Sequence, residues 1–548
     1  MGLQARIVGV IKGKNMNYDK DLQSIQEVRN LVTKAKVAQQ DFKQFPQSNV
    51  DRIVAAMAKA GEEAAERLGV MACEETGFGK PEDKKLKNIF GTKHTYESIK
   101  DLRTVGIIRE DHENRIIEIA EPMGVVAALI PSTNPTSTVM FKALISVKGR
   151  NAIVASPHPR AVKCTHEAVR ILQEAAEREG APPNLISCME NVSLEGTDEL
   201  MHHKAVDVIL ATGSTPMVRA AYSAGKPAYG VGSGNVPAFI ERTANVRKAV
   251  ADVLSGKTFD NGTLCSTESA LICDAPLRDA VMTECKTRGG HFVTGNDKLK
   301  LERLMFDPRG ALNPDMVGKP ATYIAHNAGI DVPQDTKVLI AECTSVGKEE
   351  PLSREKLSPV LSFFVDDGWL AGCHRCIDLL NFGGIGHTMV IHSEDQDIIM
   401  KFALEKPAFR ILVNTQAALG AVGYTTGLEP SMTLGPGTMG GSIISDNVTA
   451  RHMINIKRLA YETRPFLAEF ENKKPPFPEK KSVSSDDTQT DWIKQIEERL
   501  LQRAGNVAIP ERKTKHRPDN GGKQKEFGTG ITEKDIAKII DEFASKYR

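Results

Sequence analysis

The chain has 548 residues, long enough for more than one domain, and 41% of them are hydrophobic, which suffices for large cores. Lysine plus arginine (71) and aspartate plus glutamate (70) nearly cancel to a formal net charge of +1, which argues against electrostatic capture of nucleic acid or of an anionic membrane. Nine cysteines, an odd number at irregular spacing, do not suit a disulfide framework and fit a reducing compartment. With no apolar run long enough to span a bilayer and no leader with a cleavage site, a soluble cytoplasmic protein is expected.

Between Asp21 and Glu75 the chain is rich in Ala, Lys and Glu, and Ile53, Met57, Ala60, Ala64 and Leu68 recur at helical spacing. That predicts scaffold helices with no visible chemistry. Residues 104–120 predict a hairpin, two Ile-containing runs around the polar turn His112-Glu113-Asn114. From Val125 the period changes. Val125 to Ile130 and Ala152 to Ala155 are continuous apolar runs, as strands buried on both faces should be, and Val206 to Ala211, apolar apart from Asp207, is a third such strand. Helical segments at about 137–147 and 161–178 follow the first two, and another follows Gly213-Ser214-Thr215-Pro216. Strands alternating with helices predict a parallel, doubly wound α/β sheet whose ligands lie at the carboxyl ends of the strands. Gly213-Ser214-Thr215-Pro216 falls at such an end, where backbone N–H groups suit a pyrophosphate; an ordinary strand-to-helix turn fits equally.

The stretch from Asp260 to Ser269 displays a thiol, Cys265, after the polar Asn261-Gly262-Thr263 and ahead of an apolar strand at Ala270 to Cys273. A cysteine at the mouth of a rigid element is where a nucleophile is displayed, although most free cysteines are small buried hydrophobes. Cys373-His374-Arg375-Cys376 has a zinc-like gap but no second Cys/His pair at finger spacing, so it reads as packing and no metal is expected.

After about residue 470, Lys473-Lys474-Pro475-Pro476-Phe477-Pro478 opens a stiff linker. A helix is predicted from Trp492 to about Arg503, then a basic polar segment at 512–530. At 531–548 an amphipathic helix is predicted, with Ile536, Ile539, Ile540, Phe543 and Tyr547 on one stripe and Thr532 with Asp535 as a capping box. Such a helix needs a cover for its apolar face, either a partner or the chain's own folded surface.

Four distant segments stand in the order found in the aldehyde dehydrogenase superfamily: Ile130 to Thr138, Ala211 to Ser214, Asp260 to Ser269 and Glu355 to Val360. Their wording, with Gly383 to Thr388 and Leu434 to Gly441, resembles the CoA-acylating branch, which includes propionaldehyde and acetaldehyde dehydrogenases. The resemblance covers roughly residues 20–470. It implies an aldehyde dehydrogenase-like α/β fold with a Rossmann-type cofactor domain at 1–235 (hairpin about 104–120) and an α/β catalytic domain at 236–430. Residues 431–470 would return to the cofactor domain and add a strand, Asn455 to Leu459, which with the hairpin forms an oligomerisation surface of a dimer or tetramer. Residues 471–548 would be the linker and C-terminal helices.

The resemblance also implies roles. Cys265 would attack a small aldehyde, propionaldehyde or acetaldehyde, and Asn134 with the Cys265 N–H would stabilise the oxyanion. Taken alone, Asn134 reads as a helix cap before Pro135. The dinucleotide, NAD with NADP not excluded, would contact Ser132, Thr133, Ser156, Pro157, Gly213, Ser214 and Thr215. Glu355 would bind the nicotinamide ribose, although within Arg354-Glu355-Lys356 it also reads as a solvated charge. Hydrolytic members carry Glu-Leu-Gly-Gly-Lys-Ser-Pro where this chain has Val231-Gly232-Ser233-Gly234-Asn235-Val236-Pro237, so Val231 replaces the base that activates water. A thioester meeting no such base should pass to coenzyme A. His387 is a candidate acceptor for the thiol proton, with a satisfied structural histidine as the alternative; Glu268 is a weak candidate for a replacement base. The C-terminal helix resembles the encapsulation peptides that carry enzymes into bacterial microcompartments, which implies a shell-protein partner. A hydrolytic aldehyde dehydrogenase and an inactive shell-binding scaffold are the alternatives.

Overall fold

Gly232 to Asn235 connect two parallel sheets end to end, and the site lies where they do so. The computed structural model describes residues 19–466 together with 477 and 478. The helices expected at 492–503 and 531–548 and most of the linker lie outside the described residues.

The strands are β1 Gly106–Asp111, β2 Ile116–Pro122, β3 Val125–Ile130, β4 Ala152–Pro157, β5 Ile186–Cys188, β6 Val208–Thr212, β7 Ala228–Val231, β8 Val236–Ile240, β9 Glu268–Asp274, β10 Gly290–Val293, β11 Val338–Glu342, β12 Val360–Asp366, β13 Gly386–His392, β14 Ala408–Val413 and β15 Ile454–Ala460. A five-stranded sheet runs β5-β4-β3-β6-β7, all parallel. Every residue of β3 and β4 is buried, the reason their sequences are apolar without alternation. Helices Pro135–Lys148 and Val162–Arg178 make the crossovers, close to the expected limits. Because the chain builds outward from β3 through β4 to β5 and then returns to β6, the order reverses between β3 and β6. That reversal opens a crevice at their carboxyl ends.

A seven-stranded sheet runs β10-β11-β12-β9-β8-β13-β14, again parallel, over its own core. It presents the amino ends of β8, β9 and β13 to the linker, so Asn235, Cys265 and Gly386 arrive together. The expected hairpin is present as β1 and β2, and β15 pairs antiparallel with β2 to make a third sheet, with Ile456 and Leu459 exposed.

At the N-terminal end the single helical period read across Ile53 to Leu68 is split. Helices Gln47–Glu63 and Ala65–Thr76 meet at Ala64, and Ile53, Met57 and Leu68 are buried whereas Ala60 and Ala64 are half-buried. A further helix, Pro81–Ile89, follows. Cys373 and Cys376 are buried on helix Trp369–Phe382, with Lys406 against Cys373, and no group of three metal-ligating side chains occurs among the described residues. No described helix is long and apolar enough to cross a membrane.

Candidate active site

Three successive residues ahead of the thiol have left-handed backbone: Asp260 (φ +46°), Asn261 (φ +50°) and Gly262 (φ +73°). Two of them carry a Cβ, at roughly 1–2 kcal/mol each, so the turn persists only because its side chains are held. Asn261 Nδ2 donates to Gly318 O at 2.9 Å. Asp260 is fully buried. Its Oδ1 accepts from Lys80 N–H at 2.7 Å, and its Oδ2 accepts from Lys84 Nζ at 2.9 Å, Lys87 Nζ at 2.5 Å and Thr263 Oγ1 at 2.7 Å. Burial favours its neutral form, but Lys87, Lys84 and these hydrogen bonds outweigh that and hold the carboxyl below its usual range.

The turn delivers Cys265, half-buried, to the amino end of β9. The linker passes so close that a Cβ on Gly234 would lie 2.0 Å from Cys265 O. Burial pushes the Cys265 thiol up to about 12; the Glu355 carboxylate adds to that, while Arg410 and Lys87 oppose it. Arg410 is buried and donates to Thr388 Oγ1 at 3.3 Å and to the carbonyls of Ser445 (3.1 Å) and Gly435 (2.8 Å).

Asn134 sits at the position before helix Pro135–Lys148, yet its side chain makes no capping bond, so the cap reading fails. Its Oδ1 instead accepts from Lys87 Nζ at 2.6 Å, and its Nδ2 donates to Thr133 Oγ1 at 3.1 Å and Thr263 O at 3.3 Å. Glu355 is not a solvated charge. It is half-buried with Oε1 accepting from Gly234 N–H at 2.9 Å, and burial pushes its carboxyl up to about 7 against the pull of that N–H and the Ser233 hydroxyl. Asn235, at the lysine position of hydrolytic members, donates from Nδ2 to Ser353 O at 2.9 Å and Leu379 O at 3.0 Å, anchoring the linker to the seven-stranded sheet.

These groups open on a cleft of about 810 Å³. Ser132, Thr133, Asn134, Ser156, Pro157, Gly213, Ser214, Thr215, Val231, Cys265 and Glu355 all line it, and Glu355 is the one carboxylate among its lining residues. His387 and Glu268 do not. The His387 ring is buried behind Gly234, with Nδ1 at 2.9 Å from Thr388 Oγ1 and Nε2 without a protein partner; burial, with Arg410, pushes its pKa down to about 3. Glu268 turns towards helix Val246–Thr258, accepts the Ala417 N–H, and is pushed up to about 8 by burial. Lys84, Lys87 and Arg410 were missed from the sequence. Lys84-Lys85-Leu86-Lys87 looks like a solvated helix face, and nothing local marks two of its lysines as buried.

A cysteine-bearing turn at the amino end of one parallel sheet faces the switch point of another across this cleft, the class of site in which a thiol can meet a ligand held at strand ends. The profile described as the aldehyde dehydrogenase family matches residues 19–302. Succinate-semialdehyde dehydrogenase (acetylating) of Clostridium kluyveri is 36% identical over 434 residues, 79% of this chain and 95% of the relative. Aldehyde-alcohol dehydrogenase 2 of Entamoeba histolytica is 44% identical over 446 residues, 79% of this chain and 51% of the relative. This chain therefore spans about half the length of the aldehyde-alcohol dehydrogenases it matches. Among solved structures, an acetylating aldehyde dehydrogenase from Geobacillus thermoglucosidasius is 53% identical with TM-score 0.81, covering 82% of this chain and 99% of that one. A propionaldehyde dehydrogenase from the fucose utilisation microcompartment of Clostridium phytofermentans is 28% identical with TM-score 0.72, covering 79% and 97%. The Rhodopseudomonas palustris propionaldehyde dehydrogenase, solved with bound CoA and an acylated cysteine, is also 28% identical with TM-score 0.72, covering 79% and 96%. The chain belongs to the aldehyde dehydrogenase family, in its CoA-acylating branch.

Proposed function

We propose that the chain oxidises a small aldehyde, propionaldehyde or acetaldehyde, to its acyl-CoA with NAD(P)+ and coenzyme A. The observation that carries this reading is the cleft itself. Cys265 and Asn134 share it, while Val231 stands where a hydrolytic enzyme needs a carboxylate.

The cleft suits a dinucleotide. A Cβ on Gly213 would meet nothing nearer than Met217 at 3.9 Å, so the space beside this strand end is open to a phosphate, next to the N-terminus of helix Thr215–Ser223. Ser132, Thr133, Ser156, Pro157, Gly213, Ser214 and Thr215 would hold the nucleotide, and Glu355 its nicotinamide ribose; the nicotinamide supplies the hydride acceptor. Residues 1–235 would then be the cofactor-binding part and 236–430 the catalytic part. Cys265 gives up its proton to solvent in the open cleft and adds to the carbonyl, Asn134 Nδ2 and the Cys265 N–H stabilise the oxyanion, and transfer of hydride to the nicotinamide leaves a thioester on Cys265.

Coenzyme A then takes the acyl group by thiol exchange. Of two candidate acceptors for its proton, Glu355 is better matched. A carboxyl pushed up to about 7 is a competent base near neutral pH, whereas His387, pushed down to about 3, is a weak one. The test follows NADH from propionaldehyde with and without CoA. Acyl-CoA formation dependent on CoA is expected; equal turnover without CoA, with free acid as product, would mean hydrolysis.

We also infer that 531–548 directs the enzyme into a microcompartment shell, and that β1, β2 and β15 form a dimer or tetramer surface. The first rests on the apolar stripe and on the microcompartment origin of a similar structure; the second rests on the exposed Ile456 and Leu459 of β15. A fluorescent protein fused to 531–548 should become punctate in shell-producing cells. If it stays diffuse, and deleting the segment instead lowers the enzyme's Tm, the helix belongs to the enzyme's own fold.

A further inference from the structure

Lys87 has no role in the reading above, yet it is bonded to Asn134, on which that reading depends, and to the turn that carries Cys265. It is buried on helix Pro81–Ile89, and its Nζ donates to Asn134 Oδ1 at 2.6 Å, Asp260 Oδ2 at 2.5 Å and Thr263 Oγ1 at 3.0 Å. An ammonium has three N–H donors and no acceptor, so these three bonds use it completely.

That arithmetic decides how Asn134 faces the cleft. The two ends of a side-chain amide are nearly equal in size, and only their partners distinguish them. A charged lysine can face only the oxygen. With Oδ1 held by Lys87, the NH2 group is turned to the side of Thr263 O and Thr133 Oγ1, at 3.3 and 3.1 Å. Those long contacts yield readily to a better acceptor. If the amide turned over, an oxygen would replace the donor, and the developing oxyanion would meet a like partial charge.

The same lysine connects Asn134 to the nucleophile turn. Asp260 carries the left-handed backbone ahead of Cys265, and Thr263 lies two residues before the thiol. Donor and nucleophile belong to different sheets and stand 131 residues apart (134 to 265), and Lys87 is bonded to the donor and to the turn that supports the nucleophile. Lys84 is a natural control. It lies on the same helix and is equally buried against Asp260, but its other bond goes to Thr133 O at 2.9 Å and not to Asn134.

We propose that Lys87 is a positioning residue for catalysis, fixing the Asn134 amide with its NH2 towards the substrate oxygen and registering it against the Cys265 turn through Asp260 and Thr263. This rests on the assignment of Cys265 as nucleophile and Asn134 as oxyanion donor.

The test compares Lys87→Met, Asn134→Ala, their double variant and Lys84→Met in the full chain with propionaldehyde, CoA and NAD+. Lys87→Met should lower kcat by about the same factor as Asn134→Ala, on the order of 10²–10³, with little change in the KM for aldehyde. The double variant should be no slower than the worse single one, because both remove the same donor. Lys84→Met should lower Tm comparably and kcat far less. Multiplicative losses in the double variant, an unchanged kcat in Lys87→Met, or equal kcat losses in Lys84→Met and Lys87→Met would each overturn the proposal. Lys87→Gln replaces the methionine variant if that does not fold, with the same expectations. If neither folds, the lysine is a structural counter-ion and the proposal fails. Failure of the underlying assignment looks different: Cys265→Ala or Asn134→Ala would then keep wild-type turnover whatever Lys87 does.

Discussion

The two flanks of Cys265 balance their charge in opposite ways. On the Asn134 side, Lys84, Lys87 and Asp260 are all buried but mutually bonded, with Thr263 completing the set. On the other side, Glu355, Glu268 and Arg410 make no ion pair with a cation or carboxylate within bonding distance among the described residues. Glu355 and Glu268 accept backbone N–H groups, Arg410 donates to carbonyls and to Thr388 Oγ1, and one Glu268 oxygen has no partner. Burial pushes Lys87 down to about 8 although Asp260 opposes it, and Asp260 stays below the usual carboxylate range, whereas burial pushes Glu355 up to about 7 and Glu268 up to about 8. The first flank is held together by ion pairs to Asp260, and the second carries the carboxylates that titrate near neutral pH.

Cys265→Ala removes the group both flanks serve, and should abolish turnover while leaving nucleotide binding near normal by fluorescence titration. Substantial residual activity would move the chemistry to another cysteine. On the ion-paired flank, Asn134→Ala should lower kcat about 10²–10³-fold, without altering the rate at which iodoacetamide alkylates Cys265. A matching fall in alkylation would show that Asn134 acts on the thiol and not on the oxyanion. Val231→Glu adds a carboxylate to the cleft and should produce slow release of free acid without CoA; a folded variant yielding none would place residue 231 out of reach of the thioester.

Smaller effects probe the titrating flank. With the thiol pushed up to about 12, alkylation of the wild type should rise about tenfold per pH unit between pH 7 and 10. Glu355 disfavours the thiolate only when ionised. Glu355→Gln should therefore speed alkylation a fewfold at pH 8–9, and the two proteins should converge below pH 7, where the wild-type carboxyl is protonated. A constant ratio across pH would remove Glu355 from the thiol's surroundings. The smallest effect belongs to Glu268, whose carboxyl burial raises from an ordinary 4.5 to about 8. A folded pKa above the unfolded one contributes stability that is complete below pH 4.5 and lost as pH rises through 8. Glu268→Gln should accordingly gain on the wild type as pH rises from 5 to 9, by about 1–2 °C in Tm at the alkaline end; a gap independent of pH would show that Glu268 does not titrate there.

What was legible in the sequence followed from local pattern. The unbroken apolar runs of β3, β4 and β6 announced a sheet covered on both faces. The glycine- and asparagine-containing turn before Cys265 announced a displayed thiol, again a property of adjacent residues, whereas the reading of Val231 as the place of a missing base came from the family resemblance alone. The two readings of Asn134 and Glu355 were separable only in three dimensions: an asparagine before a proline suits a cap, and a glutamate between arginine and lysine suits solvent. The tertiary structure decided both, because Lys87 and Thr263 approach Asn134 from 47 and 129 residues away and Gly234 reaches Glu355 from 121 away in the sequence. Burial of Lys84 and Lys87 was likewise decided by packing alone. A lysine-rich helical turn is solvated by default, and only the arrival of Asp260 across a strained left-handed turn makes it worth removing from water.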